Sequence, residues 1–362
     1  MRLASLSYLE AFMGILSRIR QEYYKLSENK TITQKCNYIL ASIQFSLKSS
    51  YLYSYPIKLT IDPSNYCNLR CELCPSGNKA AGRTRAFMSF DTFKKVVDEC
   101  GPYLWEIDLF NWGEPLLNKE ISKMIEYTTN KKIDVSISTH LNYFNHDICV
   151  ALIESGLKKI IISLDGASHE SVNKYQQGCD FELVLSNMEK IVETKKLLNS
   201  TTPFVQWRFL VNRYNEHEIE KAFELSRKLK IDKLELGKFR CDMEKEIFMN
   251  REEMLKNLSA WIPQGEEISE YIHVEERDRQ NLVCAFLWLE SVIQPNGSVS
   301  PCCSIWPEKY DFGTINDSPF KVIWNNQKYQ NARKMHRGDM ISTENRNELI
   351  CHICKQNEGP LF

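Results

Sequence analysis

The stretch IKLTIDPSNYCNLRCELCP (57–75) holds an apolar, β-branched run followed at once by three cysteines, Cys67-x3-Cys71-x2-Cys74, and a proline. The run 57–62 reads as a strand, and the cysteines fall on the loop just past its C-terminal end. Disulfides need pairs, a structural zinc site takes four ligands and a thioredoxin-like redox site takes two. Three thiolates suit a soft metal centre and leave one coordination position without a protein ligand.

Working outward from that strand, β-rich runs alternate with amphipathic helical stretches. The strands are expected at 57–62, 106–111, 134–139, 159–165, 205–211 and 232–239, with helices at 90–100, 118–130, 145–156, 183–197 and 216–229. This alternation argues for parallel strands joined by crossover helices. Six βα units are fewer than a closed eight-unit barrel needs, so the expected fold class is α/β, a partial (β/α)6 TIM-like barrel. Functional groups should then gather at the C-terminal strand ends, where the cysteines lie.

Composition sets the outer bounds. The chain has 362 residues, 43% hydrophobic and 26% charged, with a formal net charge of -1. That balance suits an ordinary globular protein and gives no electrostatic reason for a nucleic-acid partner. The N-terminal MRLASLSYLEAFMGILSRIR (1–20) resembles a signal peptide only superficially. Glu10 breaks its apolar run, and Arg18 and Arg20 follow without a small-residue cleavage site. A cytoplasmic location is expected, where 13 cysteines mean metal sites more readily than disulfides. Leu9, Phe12, Met13, Leu16 and Ile19 recur at helical spacing, so residues 1–55 read as a helical extension packed on the main domain. Contact of this helix with a membrane surface or a partner is the alternative.

A second cysteine group lies near the C-terminus, as Cys284-x12-Gly297-x4-Cys302 and Cys351-x2-Cys354. Between the first pair, SVIQPNGSVSPCC (291–303) reads as a β-hairpin turning at Pro295-Asn296-Gly297. Four thiolates close a metal site, and on ligand grounds zinc and an iron–sulfur cluster serve equally. Cys303 adjoins Cys302 and competes for its place, and the Gly-x4-Cys register favours Cys302. Cys36, Cys100, Cys149, Cys179 and Cys241 read as structural thiols. His169, His217 and His273 read as exposed or helix-end histidines.

Cys67-x3-Cys71-x2-Cys74 on a first β-to-α loop resembles the signature of the radical S-adenosylmethionine (radical SAM) enzymes, over roughly residues 56 to 240. The resemblance implies a [4Fe-4S] cluster whose open iron chelates the amino and carboxylate groups of SAM. It also implies reductive cleavage to methionine and a 5'-deoxyadenosyl radical, which abstracts a substrate hydrogen. NWGEPLLN (111–118) follows the second strand, and Gly113-Glu114-Pro115 resembles the family's "GGE" segment that receives the SAM ammonium, with Trp112 replacing the usual first glycine. ISTHLN (137–142) resembles "TNG", departing at His140 and Leu141, and makes Ser138 and Thr139 candidate contacts to SAM or substrate. In ISLDG (162–166), Ser163 and Asp165 resemble the hydroxyl and carboxylate that bind the SAM ribose. YQQGCDFE (175–182) places Gln176 where arginine is frequent, which leaves Arg208 to meet the SAM carboxylate. Trp112, Trp207, Arg208, Lys238 and Arg240 are candidates to line a polar substrate cavity.

The second cysteine group resembles the SPASM/twitch extensions of the same superfamily. In its shortened twitch form, Cys284, Cys302, Cys351 and Cys354 would fully ligate one auxiliary cluster. The cofactors so implied are two [4Fe-4S] clusters and S-adenosylmethionine. The expected boundaries are 1–55 for the helical extension, 56–242 for the radical SAM core, 243–279 for a helical linker and 280–362 for a small auxiliary-cluster module. The activity implied is net oxidation of a small molecule or sugar, with the auxiliary cluster accepting the electron. Redox-neutral epimerisation, modification of a peptide and a non-enzymatic zinc scaffold are the alternatives. The partners implied are the substrate and an electron donor such as flavodoxin or ferredoxin.

Overall fold

The computed structural model of the chain describes residues 30–238, 260–263 and 284–356. The N-terminal stripe from Leu9 to Ile19, Arg240, Cys241, His273 and almost all of the expected linker lie outside the described residues.

Helix α1 (Ile32–Ser46) precedes the first strand, β1 (Lys58–Ile61). The expected alternation follows as α2 (Phe90–Cys100), β2 (Glu106–Asp108), α3 (Ile121–Thr129), β3 (Asp134–Thr139), α4 (His146–Glu154) and β4 (Lys159–Ser163). After a short helix that was not expected, α5 (His169–Tyr175), it continues through α6 (Phe181–Leu197), β5 (Phe204–Val211), α7 (Ile219–Leu229) and β6 (Lys233–Lys238). Local chemistry fixes the helix starts. The Ser89, Asn145 and Asp180 side chains accept from the N–H groups of Thr92, Ile148 and Leu183, removing a donor that each first turn would otherwise leave unpaired.

β1 to β6 pair in parallel in sequence order. Their outward faces, carrying Leu59, Ile61, Ile107, Val135, Ile137, Ile160, Ile162, Val205, Trp207 and Phe209, are buried under the helices. The intervening positions on the other face are mostly polar: Thr60, Asp108, Ser136, Ser138, Lys159, Ser163, Gln206 and Arg208. The period of two therefore separates an apolar outer layer from a polar lumen. Trp207 belongs to the outer layer, fully buried with its Nε1 donating to the Leu164 carbonyl at 2.8 Å, so it does not line the lumen as expected.

The C-terminal segment continues this sheet. After α8 (Phe286–Leu289), β7 (Glu290–Ile293) pairs in parallel with β1, and β8 (Ser298–Ser300) and β9 (Gly313–Thr314) extend the sheet antiparallel to nine strands. The expected hairpin is present, with Gly297 at φ 85 in its turn. The chain then forms α9 (Phe320–Trp324), α10 (Gln327–Arg337), α11 (Thr343–Asn347) and α12 (Ile350–Gln356), the last carrying Cys351 and Cys354.

α1 is inverted relative to an ordinary amphipathic helix. It buries Gln34, Asn37 and Gln44 while Ile32, Ile39, Ile43 and Leu47 are exposed. The buried amides are all used. Gln34 Nε2 donates to the Leu104 carbonyl at 2.6 Å, and Asn37 Nδ2 donates to the carbonyls of Tyr55 at 3.1 Å and Tyr103 at 3.3 Å. These bonds lash α1 to the segments entering β1 and β2. Among the described residues no helix is long and apolar enough to cross a membrane.

Candidate active site

The three cysteines sit half-buried on the loop leaving β1. The loop is wound tightly: Cys74 N donates to the Cys71 carbonyl at 3.3 Å, and Asn78 N to the Cys74 carbonyl at 2.9 Å. Gly77 lies against the Cys71 backbone, where an added Cβ would stand 2.6 Å from its nitrogen and oxygen. Leu69 N faces the Cys67 sulfur at 3.5 Å. Burial pushes the Cys67 thiol up to about 12, and Cys71 is raised by burial and then by the neighbouring sulfurs of Cys74 and Cys67. Each thiolate therefore opposes the next, and bound positive iron is the kind of group that reverses that sign and ionises coordinating thiols. Among the described residues no three Cys, His, Asp or Glu side chains converge as the ligands of one metal ion.

The loop after β2 is packed directly onto the cysteine loop. Glu114 N donates to the Tyr66 carbonyl at 2.8 Å, immediately before Cys67. Only glycine fits at 113, since a Cβ there would lie 1.9 Å from the Ser64 carbonyl oxygen. The Glu114 carboxylate is buried beside Cys67. Its Oε1 accepts from Leu116 N at 3.0 Å and its Oε2 from His140 N at 3.1 Å. His140 Nε2 stands 3.0 Å from the same Oε2 without forming a hydrogen bond, while Nδ1 accepts from Asn142 N at 3.0 Å. Glu114 thus ties the second strand end to the third, and Pro115 opens the short turn that follows. From the other side, buried Asp62 at the end of β1 accepts from Trp112 N at 3.2 Å, and burial raises its carboxyl to about 7.

Three candidate residues on adjacent strands meet in the lumen. Arg208 Nη2 donates to the hydroxyls of Ser138 at 3.1 Å and Ser163 at 3.0 Å, which are themselves 3.1 Å apart. Arg208 Nε is buried and has no partner. A guanidinium with a free, buried donor fits a carboxylate ligand. Thr139, by contrast, is a strand-end cap whose hydroxyl accepts from Leu141 N at 2.9 Å. Asp165 is buried near Cys71 and accepts from Leu210 N at 2.8 Å, and burial lifts it to about 7. Gln176 spends its amide on the backbone, accepting from Asp165 N at 2.8 Å and donating to the Ser163 carbonyl at 2.9 Å. It is a brace for the end of β4.

Members of the second cysteine group lie near one another. Cys302 lies within electrostatic reach of Cys284 and Cys351, and Cys351 of Cys284 and Cys354. Burial is the first cause holding Cys284, Cys302 and Cys351 above the usual thiol range. Cys303 lies within electrostatic reach of Cys302 and of Glu290 and Asp108. Lys58 lies 2.7 Å from Asp108 and 3.2 Å from Glu106, and Glu290 adds a third carboxylate to its surroundings. His169 and His217 are exposed, while Cys100, Cys149 and Cys179 are buried and Cys36 is exposed.

One contact with no local sequence signal joins the two cysteine groups. Arg83, from the segment following the first cysteines, reaches Asp311 with two 2.9 Å bonds. Its Nη1 also faces the Ser298 hydroxyl at 3.3 Å, and its Nε bonds the Trp306 carbonyl. Around it, Trp306 Nε1 donates to the Ala81 carbonyl at 2.8 Å, Arg85 stacks 4.8 Å over the Trp306 ring, and Trp112 meets Trp306 edge-on at 5.8 Å. Removing one partner of such a buried pair costs about 3–5 kcal/mol. Arg83→Met is therefore expected to lower the thermal midpoint sharply, with part of the loss recovered when Asp311→Leu is added. A single variant that melts with the wild type would show that this pair does not hold the C-terminal segment in place. Asp62, Arg83 and His140 are the site residues that sequence reasoning missed. Only Asp62 had a local signal, as an acidic residue ending an apolar strand just before a proline.

Residues 61–226 match the model of the Radical SAM superfamily, and residues 284–355 match that of SPASM, an iron-sulfur cluster-binding domain. The AdoMet-dependent heme synthase of Methanosarcina barkeri is 27% identical over 164 residues, 45% of this chain and 45% of that protein. A GTP 3',8-cyclase of Clostridium botulinum is 26% identical over 213 residues, 57% of this chain and 65% of that protein. The chain thus spans less than two thirds of either relative. SuiB of Streptococcus suis, bound to S-adenosylmethionine, shares the fold with a TM-score of 0.59 at 16% identity, over 96% of this chain and 82% of SuiB. The native anSMEcpe structure with bound AdoMet has a TM-score of 0.53 at 19% identity, over 76% of this chain and 82% of that one.

Proposed function

The chain belongs to the radical SAM superfamily and carries a C-terminal SPASM extension, and on that premise we propose that it cleaves S-adenosylmethionine reductively to oxidise a small molecule or sugar. The two domains imply [4Fe-4S] clusters, one in the barrel and an auxiliary one in the extension. When bound, the barrel cluster and SAM supply a 5'-deoxyadenosyl radical able to remove a substrate hydrogen. In this reading Cys67, Cys71 and Cys74 hold the open cluster, and Cys284, Cys302, Cys351 and Cys354 hold the closed one.

The protein's own residues provide the frame for SAM. Gly113, Glu114 and Pro115 set the second strand end against the cysteine loop. That turn would meet the SAM ammonium, while the Glu114 carboxylate fixes its position beside Cys67. Ser138, Ser163 and Arg208 offer two hydroxyls and a cation to the carboxylate and ribose. Thr139 and Asp165 shape the strand ends around them. The observation that carries this reading is the unpaired, buried Nε of Arg208, whose Nη2 already holds the Ser138 and Ser163 hydroxyls. Oxidation is preferred because a fully ligated auxiliary cluster would accept the electron left on the substrate radical. A one-electron donor such as flavodoxin or ferredoxin completes the cycle.

The test is 5'-deoxyadenosine formation by anaerobically reconstituted protein with dithionite and SAM. Arg208→Gln should weaken SAM binding by about tenfold to a hundredfold, the cost of one charged hydrogen bond, while leaving the iron content unchanged. Equal SAM affinity in wild type and variant would remove Arg208 from the site.

A further inference from the structure

We propose that Arg333 is the buried counterion of the auxiliary cluster and raises its reduction potential. The inference rests on the reading of Cys284, Cys302, Cys351 and Cys354 as ligands. Arg333, on α10, is fully buried. Its Nε donates to the Leu287 carbonyl at 2.7 Å and its Nη1 to the Ser50 carbonyl at 3.2 Å, while Nη2 has no partner. Its guanidinium lies 4.4 Å from the Trp324 ring centre and 5.1 Å from that of Tyr329. Among the described residues it forms no ion pair.

A charge in such a place is costly unless something compensates it. Burial drags Arg333 down to about 9, which still leaves it cationic at neutral pH. The other groups near it do not supply the missing negative charge. Lys321 adds a second cation, lowered to about 8 by burial and then by Arg333, with its Nζ donating to the carbonyls of Tyr53 at 2.7 Å and Ser54 at 2.9 Å. The Glu99 carboxylate is engaged by Phe320 N and Lys321 N, each at 2.8 Å.

Arg333 is linked to the cysteines through Tyr329 and Leu287. Tyr329 contacts Arg333 through its ring and lies within electrostatic reach of Cys351 and Cys302, with its hydroxyl fixed 2.8 Å from Ser291 Oγ. Leu287, whose carbonyl receives Arg333, also turns its N–H toward the Cys284 sulfur. Four neutral thiols have no use for a cation. Four thiolates around an iron–sulfur core form an anion, and net charge and hydrogen bonding are what set the potential of such a cluster. An added electron makes the cluster more negative, so a fixed buried cation coupled to it through Leu287 and Tyr329 favours the reduced state. That suits an electron acceptor.

The experiment is an EPR-monitored redox titration of the full-length, reconstituted protein as wild type, Arg333→Met and Arg333→Lys. The expected result is a more negative auxiliary midpoint in Arg333→Met, with the barrel-cluster midpoint unmoved and Arg333→Lys close to wild type. Loss of the auxiliary iron in Arg333→Met with retention in Arg333→Lys supports the same role. An unchanged midpoint in Arg333→Met overturns it, as does equal loss or an equal shift in both variants. A wild-type protein with only one cluster would instead overturn the ligand assignment on which the proposal stands.

Discussion

Cys71→Ala is expected to form no 5'-deoxyadenosine above background when reduced with dithionite and given SAM. Cys71 is the middle ligand of the proposed set, and its backbone is held by the Gly77 turn and by Cys74 N. The two remaining thiols cannot hold a cluster in register with the open iron facing the lumen. Arg208, Ser138 and Ser163 are left untouched, so the defect should appear as lost barrel iron, with the auxiliary iron retained. Serine at the same position tests whether geometry alone suffices, because a hydroxyl is a poorer ligand for a soft centre. Wild-type rates of 5'-deoxyadenosine formation in Cys71→Ala would sink the assignment.

Replacing Cys351 and Cys354 together by alanine should remove about half of the iron and abolish substrate turnover. SAM cleavage without turnover should persist, because the barrel cysteines stand on the loop after β1 and the altered pair on α12. Folding is the competing explanation, since a lost structural metal can unfold a small module. Here the module is held by more than its metal. β7 pairs with β1 over four residues, Arg83 clasps Asp311, and Asn325 exchanges 2.8 and 2.9 Å bonds with the Leu52 backbone. Circular dichroism and gel filtration should therefore find the double variant folded. An intact variant that keeps its full iron content would show that these cysteines ligate nothing.

The barrel was legible because its signals are local. Alternation of apolar and polar residues predicted each of the six parallel strands, and the caps Ser89 and Asn145 fall where the expected helices begin. Parity also contained an answer that was not drawn from it. Val205, Trp207 and Phe209 alternate on one face, so Arg208 and Trp207 cannot both face the lumen. The hairpin after Cys284 was legible from its turn, but its place beside β1 was not. Parallel pairing between residues more than two hundred apart leaves no local pattern, and neither does the Arg83–Asp311 pair.

The site divides in the same way. Cysteine spacing singled out both thiol groups, because their close spacing and CxxC pairs are visible in the sequence. The roles of Glu114, Thr139 and Gln176 were harder to read, because each side chain is spent on backbone groups that only the fold brings near. Cys302 and Cys303 are adjacent and chemically identical, so spacing separates their roles only through the Gly-x4-Cys register. α1 misleads for a related reason, since its amides are buried to meet carbonyls of other segments while its isoleucines are exposed.

The most direct test of the central claim is EPR spectroscopy of the anaerobically reconstituted, dithionite-reduced wild-type protein with and without SAM, alongside its iron content. An open three-thiolate cluster and a closed four-thiolate cluster predict about eight irons per chain and two reduced [4Fe-4S] signals. One of them should change on adding SAM, and the other should not. A single signal, or two signals that both ignore SAM, would contradict it.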